Sequence, residues 1–134
     1  MKLIVCIDDE KGMLFNNRRQ SRDRTLIDEL VQSLNGAPLI ISPYSEQLFQ
    51  KHSGAYAVAE NPLASAANDD HVFIENIDPV PYADKISEMI IYHWNRHYPS
   101  DMTFDLDMSP FHLAQTTEFV GYSHEKITKE VWVR

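Results

Sequence analysis

The sequence has one cysteine, Cys6, and only four glycines among 134 residues. A single thiol forms no internal disulfide framework and no CxxC pair, so zinc-ribbon and dithiol redox classes are excluded. The scarcity of glycine matches the absence of any GxGxxG or GxxxxGK[ST] pattern, and a glycine-rich phosphate cradle is excluded with it. No HExxH or HxHxDH cluster occurs among the six histidines, which removes the binuclear metal site of a metal-dependent ribonuclease and the usual zinc-hydrolase sites. No apolar run approaches the roughly 20 residues that span a bilayer. The start, Leu3-Ile-Val-Cys-Ile7, breaks at once into Asp8-Asp9-Glu10, too short for a signal peptide's apolar core. A cytoplasmic chain with no membrane partner is expected. Net basic charge is also missing: the formal charge is −8, which argues against general nucleic-acid binding.

What is present is a globular balance, with 43% hydrophobic and 24% charged residues. A chain of this length makes one ordinary domain, 1–134. Charge is unevenly spread. Residues 51–110 carry ten acids against three bases, whereas Arg18, Arg19, Arg22 and Arg24 fall within seven positions. Leu3–Ile7, Leu39–Ile41 and His71–Ile74 read as short buried strands, and Glu88–Trp94 as a fourth. Leu26, Ile27, Leu30, Val31 and Leu34 repeat at helical spacing, which predicts a helix over 21–34 with Ser21 as N-cap and Asn35-Gly36 as its stop. A second helix is expected from Ser42-Pro43 to Phe49, weaker elements over 50–71, and a helical turn or two over 81–87. Residues 98–110 read as loop, and strands near 111–119 and 126–133 close the chain across Gly121-Tyr122-Ser123. Strands alternating with helices and then two antiparallel strands predict an α/β fold: a mostly parallel central sheet, helices on both faces and a C-terminal antiparallel hairpin at the edge.

The histidines read best as scattered surface groups. His93 and His97 have i,i+4 spacing, but on a strand that separation is about 13 Å. Asp105-Leu106-Asp107 lacks the glycine and terminal glutamate of a calcium loop, so no metal is expected. Ser123-His124-Glu125 places a serine, a histidine and an acid side by side, an arrangement in which neighbours rarely face one another. The segment from Gly12 to Asp23 is more informative. It follows the first strand's carboxyl end, where open α/β sheets bind ligands. Its arginines, Arg18, Arg19, Arg22 and Arg24, could hold a phosphate or carboxylate, or could simply form a solvated face. Asp23 is either a helix-capping acid or a carboxylate aimed into the cleft. Tyr92 shares a strand face with Ile90 and Trp94, and a tyrosine on a core face needs a hydroxyl partner, which Asp23 could supply.

The order Leu3-Ile-Val-Cys-Ile-Asp8, Gly12, an acid at 23 and Asn35-Gly-Ala-Pro-Leu-Ile-Ile41 resembles the opening of dihydrofolate reductase. Val72-Phe-Ile74, Glu88–Trp94, Asp101-Met-Thr-Phe104 and the stretch from Thr117 to Arg134 follow the family's later strands, loop and closing hairpin in the same order. The resemblance implies that Asp23 is the substrate-binding acid, that Tyr92 stands where a strand hydroxyl bonds to that acid, and that Ser45 keeps a helix-start hydroxyl near the cofactor. The departures concern the cofactor. The family's glycine pair is Glu75-Asn76, its phosphate-gripping arginine is Pro43, and the tryptophan before the acid-bearing helix is lost within the arginine cluster. The stretch between Phe49 and His71 is short for an adenosine-binding lobe. The expectation is a protein with a small-molecule cleft around Asp23, for a planar heterocycle or an anionic ligand, and a degraded NADPH site. An NADPH-dependent pterin reductase and a non-catalytic protein-interaction domain are the alternatives.

Overall fold

The computed structural model describes residues 1–51 and 54–134. His52, and with it part of the weakly patterned 50–71 stretch, lies outside the described residues. Strand β1 (Lys2–Ile7) lies at the centre of a seven-stranded sheet. The apolar strands of the parallel part are β4 (Leu39–Ile41), β5 (Tyr56–Val58), β6 (His71–Ile74) and β7 (Glu88–His93). With β9 (His112–Phe119) and β10 (Ile127–Val133), their order is β5-β4-β6-β1-β7-β10-β9. All pairings from β5 to β7 are parallel, and β10 runs antiparallel to both β7 and β9. The expected sheet and edge hairpin are therefore observed.

Alternation along the strands sorts the core into two layers. Ile4, Phe73, Ile90, Tyr92 and Trp94 face helix α1 (Arg24–Ser33), whose Leu26, Ile27 and Leu30 are buried against them. The same layer takes Leu48 and Phe49 of α2 (Glu46–Phe49), which continues a 3-10 turn begun at Pro43. Leu3, Val5, Val72, Ile74, Met89 and Ile91 face the other way. They meet Leu63 of α3 (Pro62–Ser65), a 3-10 stretch over Val80–Lys85, and Phe104, Leu106 and Phe111 from the chain before β9. Among the described residues, no helix is long and apolar enough to cross a membrane.

Two local expectations are corrected. The stretch over 98–110, read as loop, instead contributes β8 (Met102–Thr103) to a second sheet with β2 (Gly12–Phe15) and β3 (Arg18–Arg19), in the order β3-β2-β8. Asn16 and Asn17 both take positive φ, 55° and 60°, at the tip of the β2-β3 hairpin. Two left-handed residues in succession are what a tight hairpin turn with the twist of its strands requires, and asparagine tolerates that conformation best after glycine. The first helix begins at Arg24 rather than Ser21, because its N-cap is Asp23, whose carboxylate accepts a hydrogen bond from the Leu26 amide at 3.1 Å.

Candidate functional site

The parallel strands end together, and their carboxyl ends form one wall of a narrow cleft against the start of α1. Cys6, Phe73, Ile74, Glu75 and Trp94 come from the strand side, and Ser21, Leu26 and Ile27 from the helix side, with Arg19 and Arg22 alongside. The cleft encloses about 370 Å³, open solvent at its mouth included, yet its interior has room for about one water molecule. It is a narrow slot lined by both apolar and polar side chains.

Glu75 follows β6 directly and is only 8% exposed. A buried carboxylate needs a cation and donors, and Arg19 supplies both: its Nε donates to Oε1 at 2.9 Å and its second guanidinium nitrogen to Oε2 at 3.2 Å. The Ser45 hydroxyl, fully buried at the end of the 3-10 turn, donates to Oε2 at 2.7 Å. Arg19 also donates to the Tyr44 carbonyl at 3.2 Å and lies over the Tyr44 ring, 4.9 Å from its centroid. The short second sheet explains this placement, since β3 carries Arg19 across the open end of the slot.

The arginine cluster is therefore not one site. Arg19 is bound to Glu75, and Arg24 lies 4.8 Å over the ring of Tyr122. Arg18 and Arg22 are exposed, Arg18 beside Phe15 and Tyr98 and Arg22 at the slot. Arg22 and Arg24 also line a broad, open concavity with Lys51, Gln47 and Tyr122, next to the slot and sharing Arg22, Ile27 and Leu48 with it.

The proposed pairing of Asp23 with Tyr92 is corrected. Asp23 is 2% exposed, and its carboxylate turns back toward the start of α1 and the 122–124 turn rather than toward Tyr92. Its carboxylate accepts from the amides of Leu26, Tyr122 and Ser123 at 3.1, 2.9 and 2.9 Å, and from the His124 ring at 2.9 Å. Burial by itself would raise the carboxyl pKa, but these donors outweigh it and hold the group far below the ordinary carboxylate range. Gly121 makes the approach possible: a Cβ there would come within 2.6 Å of Asp23 Oδ2 and 2.9 Å of the His124 carbonyl. The Tyr92 hydroxyl instead donates to Glu29, on the second turn of α1, and Lys129 of β10 holds the other Glu29 oxygen at 2.7 Å. Burial and the adjacent Glu29 carboxylate push the Tyr92 hydroxyl pKa far up, so this phenol stays protonated. Tyr92→Phe is expected to cost about 1.5–3 kcal/mol in urea unfolding, the range for a hydrogen bond to a charged group. A loss below about 0.5 kcal/mol would show that the bond merely replaces one with water.

His124 is the group that the sequence reading missed. It is 3% exposed and stacked on Trp94, with ring centroids 4.7 Å apart. Because Asp23 is ionised, the His124 Nδ1 carries the proton and donates it to Oδ2. The Nε2 then faces two hydroxyls, Tyr98 at 2.9 Å and Ser21 at 3.2 Å. Of its neighbours in sequence, the Ser123 hydroxyl lies 3.2 Å from Nδ1 and donates to Asp23 Oδ2 at 3.3 Å, while the acid of His124 lies 101 residues away. Cys6 also borders the slot, where desolvation, with the Glu75 and Asp23 carboxylates, pushes its thiol well above the normal value. His93 is bonded to Glu130 at 2.6 Å, and among the described residues no group of three or more His, Cys, Asp or Glu is placed to hold a metal ion.

No protein-family model matches the sequence, and no curated protein does. Among solved structures, the chain superposes on dihydrofolate reductase from Enterococcus faecalis complexed with NADP(H) and RAB-propyl, at a TM-score of 0.70. The match covers 99% of this chain and 95% of that one. The chain has a dihydrofolate-reductase-like fold. Identity over the match is 9%, so the correspondence is one of architecture. In a dihydrofolate-reductase-like frame, Glu75 and Arg19 occupy the carboxyl edge of the sheet with side chains that are already paired to each other.

Proposed function

We propose that the protein binds a small planar ligand with an anionic group, using the slot at the carboxyl ends of β1 and β6 together with the adjoining concavity of Arg22, Arg24 and Lys51. The observation that carries this reading is the buried Glu75 carboxylate, held by Arg19 and Ser45 at the place where open α/β sheets take their ligands. A carboxylate fixed among apolar side chains suits a ring N–H or an exocyclic amine, and Leu26, Ile27, Leu48 and Phe73 suit the faces of a ring. Arg22, Arg24 and Lys51, which border the adjoining concavity together with Asp28, suit a carboxylate or phosphate on the same molecule. The slot must widen to admit a ring. A thermal-shift screen with pterins, folates and nucleotides tests the reading, since a ligand that binds only the folded chain raises its melting temperature. No shift with any anionic heterocycle, at concentrations that saturate micromolar sites, would overturn it.

The same residues argue against a dinucleotide cofactor. A pyrophosphate at the β6 edge would have to break the Arg19–Glu75 pair or lie against a carboxylate, and either is unfavourable. Pro43 stands where the resemblance would place a phosphate-gripping arginine, and the stretch between Phe49 and His71 is short for an adenosine-binding lobe. Titration calorimetry with NADPH is expected to give no binding at micromolar protein concentration. A micromolar or tighter dissociation constant would favour the second reading, an NADPH-dependent pterin-type reductase, for which the NADP(H)-bound fold neighbour is the supporting observation.

A further inference from the structure

We propose that Ser21, His124 and Asp23 form a nucleophilic triad that opens into the slot and cleaves small carboxylic esters. The geometry carries the inference. Asp23 Oδ2 lies 2.9 Å from His124 Nδ1, and His124 Nε2 lies 3.2 Å from Ser21 Oγ, so the acid, the imidazole and the hydroxyl form one line through opposite nitrogens of the ring. That is the arrangement by which an imidazole accepts a serine proton while a carboxylate fixes its tautomer and stabilises the imidazolium. Trp94 stacked on the ring restrains its plane, and the Tyr122 and Ser123 amides restrain the carboxylate. The ends of the line differ in burial as the chemistry needs. Asp23 and His124 are buried, whereas Ser21 is half-buried and is one of the residues lining the slot. Arg22, exposed on the same wall, brings positive charge to the region in which a carbonyl oxygen would become an oxyanion.

The reaction balances without a further reagent. Ser21 Oγ bonds to the ester carbonyl carbon as its proton passes to His124 Nε2. The carbonyl carbon–alkoxy oxygen bond then breaks, and the alcohol leaves with that proton. Water, deprotonated by His124, hydrolyses the acyl-serine, releases a carboxylic acid and returns the proton to Ser21. Ser21 and His124 are the catalytic residues, and Asp23 is a positioning residue. Tyr98 competes with Ser21 for Nε2 and lies 3.4 Å from Ser21 Oγ.

This chemistry rests on the slot being a ligand site, but its test reads a covalent bond rather than affinity. The full chain is treated with a fluorophosphonate, in which a serine oxygen displaces fluoride from phosphorus, and followed by intact mass and peptide mapping. One adduct at Ser21 is expected. Ser21→Ala should abolish it, Asp23→Asn and His124→Gln should slow it by about 10²–10⁴-fold, and Tyr98→Phe should retain it. Folding of each variant is checked by circular dichroism, and Ser21→Ala removes only a half-buried hydroxyl. No adduct on the folded wild-type chain, an adduct that persists in Ser21→Ala, or its loss in Tyr98→Phe would each overturn the proposal. A ligand that still stabilises Ser21→Ala in the thermal-shift screen would leave the binding reading standing while the nucleophile falls.

Discussion

Replacing Asp23 with alanine is expected to lower the stability of the protein by about 3–5 kcal/mol, since several buried donors lose a charged acceptor at once and each such bond contributes roughly 1.5–3 kcal/mol. The change leaves the amides of Leu26, Tyr122 and Ser123 and the buried His124 ring without their acceptor. Loss of the N-cap alone accounts for roughly 1 kcal/mol of this, and the rest comes from donors buried away from water. For a chain of this size the total corresponds to a fall in melting temperature of about 10–20 °C, measured by circular dichroism. Against a typical total stability of about 5–15 kcal/mol this is a large fraction. A fall of under about 3 °C would mean that water enters and replaces the carboxylate.

The same group makes stability depend on pH, with a definite sign. Its folded pKa is depressed, so the stabilisation is complete above its unfolded value, near 4, and is lost as pH falls below that toward the folded value. Asp8 acts in the same direction, since the amides of Tyr98, Gly12 and Glu10 outweigh its burial and lower its pKa. Wild-type stability should therefore drop as acid is added below about pH 5, and Asp23→Asn should flatten part of that drop while keeping the cap. An unchanged acid slope in Asp23→Asn would assign the effect to the other groups with lowered pKa values, Asp8, Asp107 and His71.

The parts of this fold that were legible in the sequence are those whose signal is local. Buried strands show as apolar runs, and the stripe of Leu26, Ile27 and Leu30 marks α1 whatever it packs on. Side-chain alternation also placed Tyr92 on the face toward α1, together with Ile90 and Trp94. Which acid it would meet was not legible. Asp23 precedes the helix and turns back to cap it, while Glu29 lies on the flank of the buried stripe, three residues after Leu26, and reaches the phenol. The β2-β3-β8 sheet escaped because its strands are two to four residues long, though Asn16-Asn17 was a turn signal that could have been weighed. The site itself depends on pairs far apart in sequence. Arg19 and Glu75 are 56 residues apart, and Asp23 and His124 are 101. Each residue alone looked like a surface charge or a scattered histidine.

The Arg19–Glu75 pair is where stability and function separate most clearly. Arg19→Ala is expected to cost about 3 kcal/mol, the low end for a buried pair, because the Arg19 side chain keeps 18% exposure against 8% for Glu75. The cost is mainly that of an orphaned carboxylate. The double variant Arg19→Met with Glu75→Gln should therefore recover most of it, since glutamine can still accept from Ser45 and methionine can still pack on Tyr44. Urea unfolding of Arg19→Met, Glu75→Gln and the double variant gives the coupling energy directly, and a value below about 0.5 kcal/mol would mean the charges are solvated in solution. Ligand response should follow a different order. If Glu75 receives a ring N–H, Glu75→Gln loses most of the ligand-induced thermal shift even in the double variant, whose stability is restored. If the shift survives Glu75→Gln intact, the carboxylate serves only to hold Arg19 and the end of the slot in place, and ligand recognition moves to the Arg22, Arg24 and Lys51 concavity.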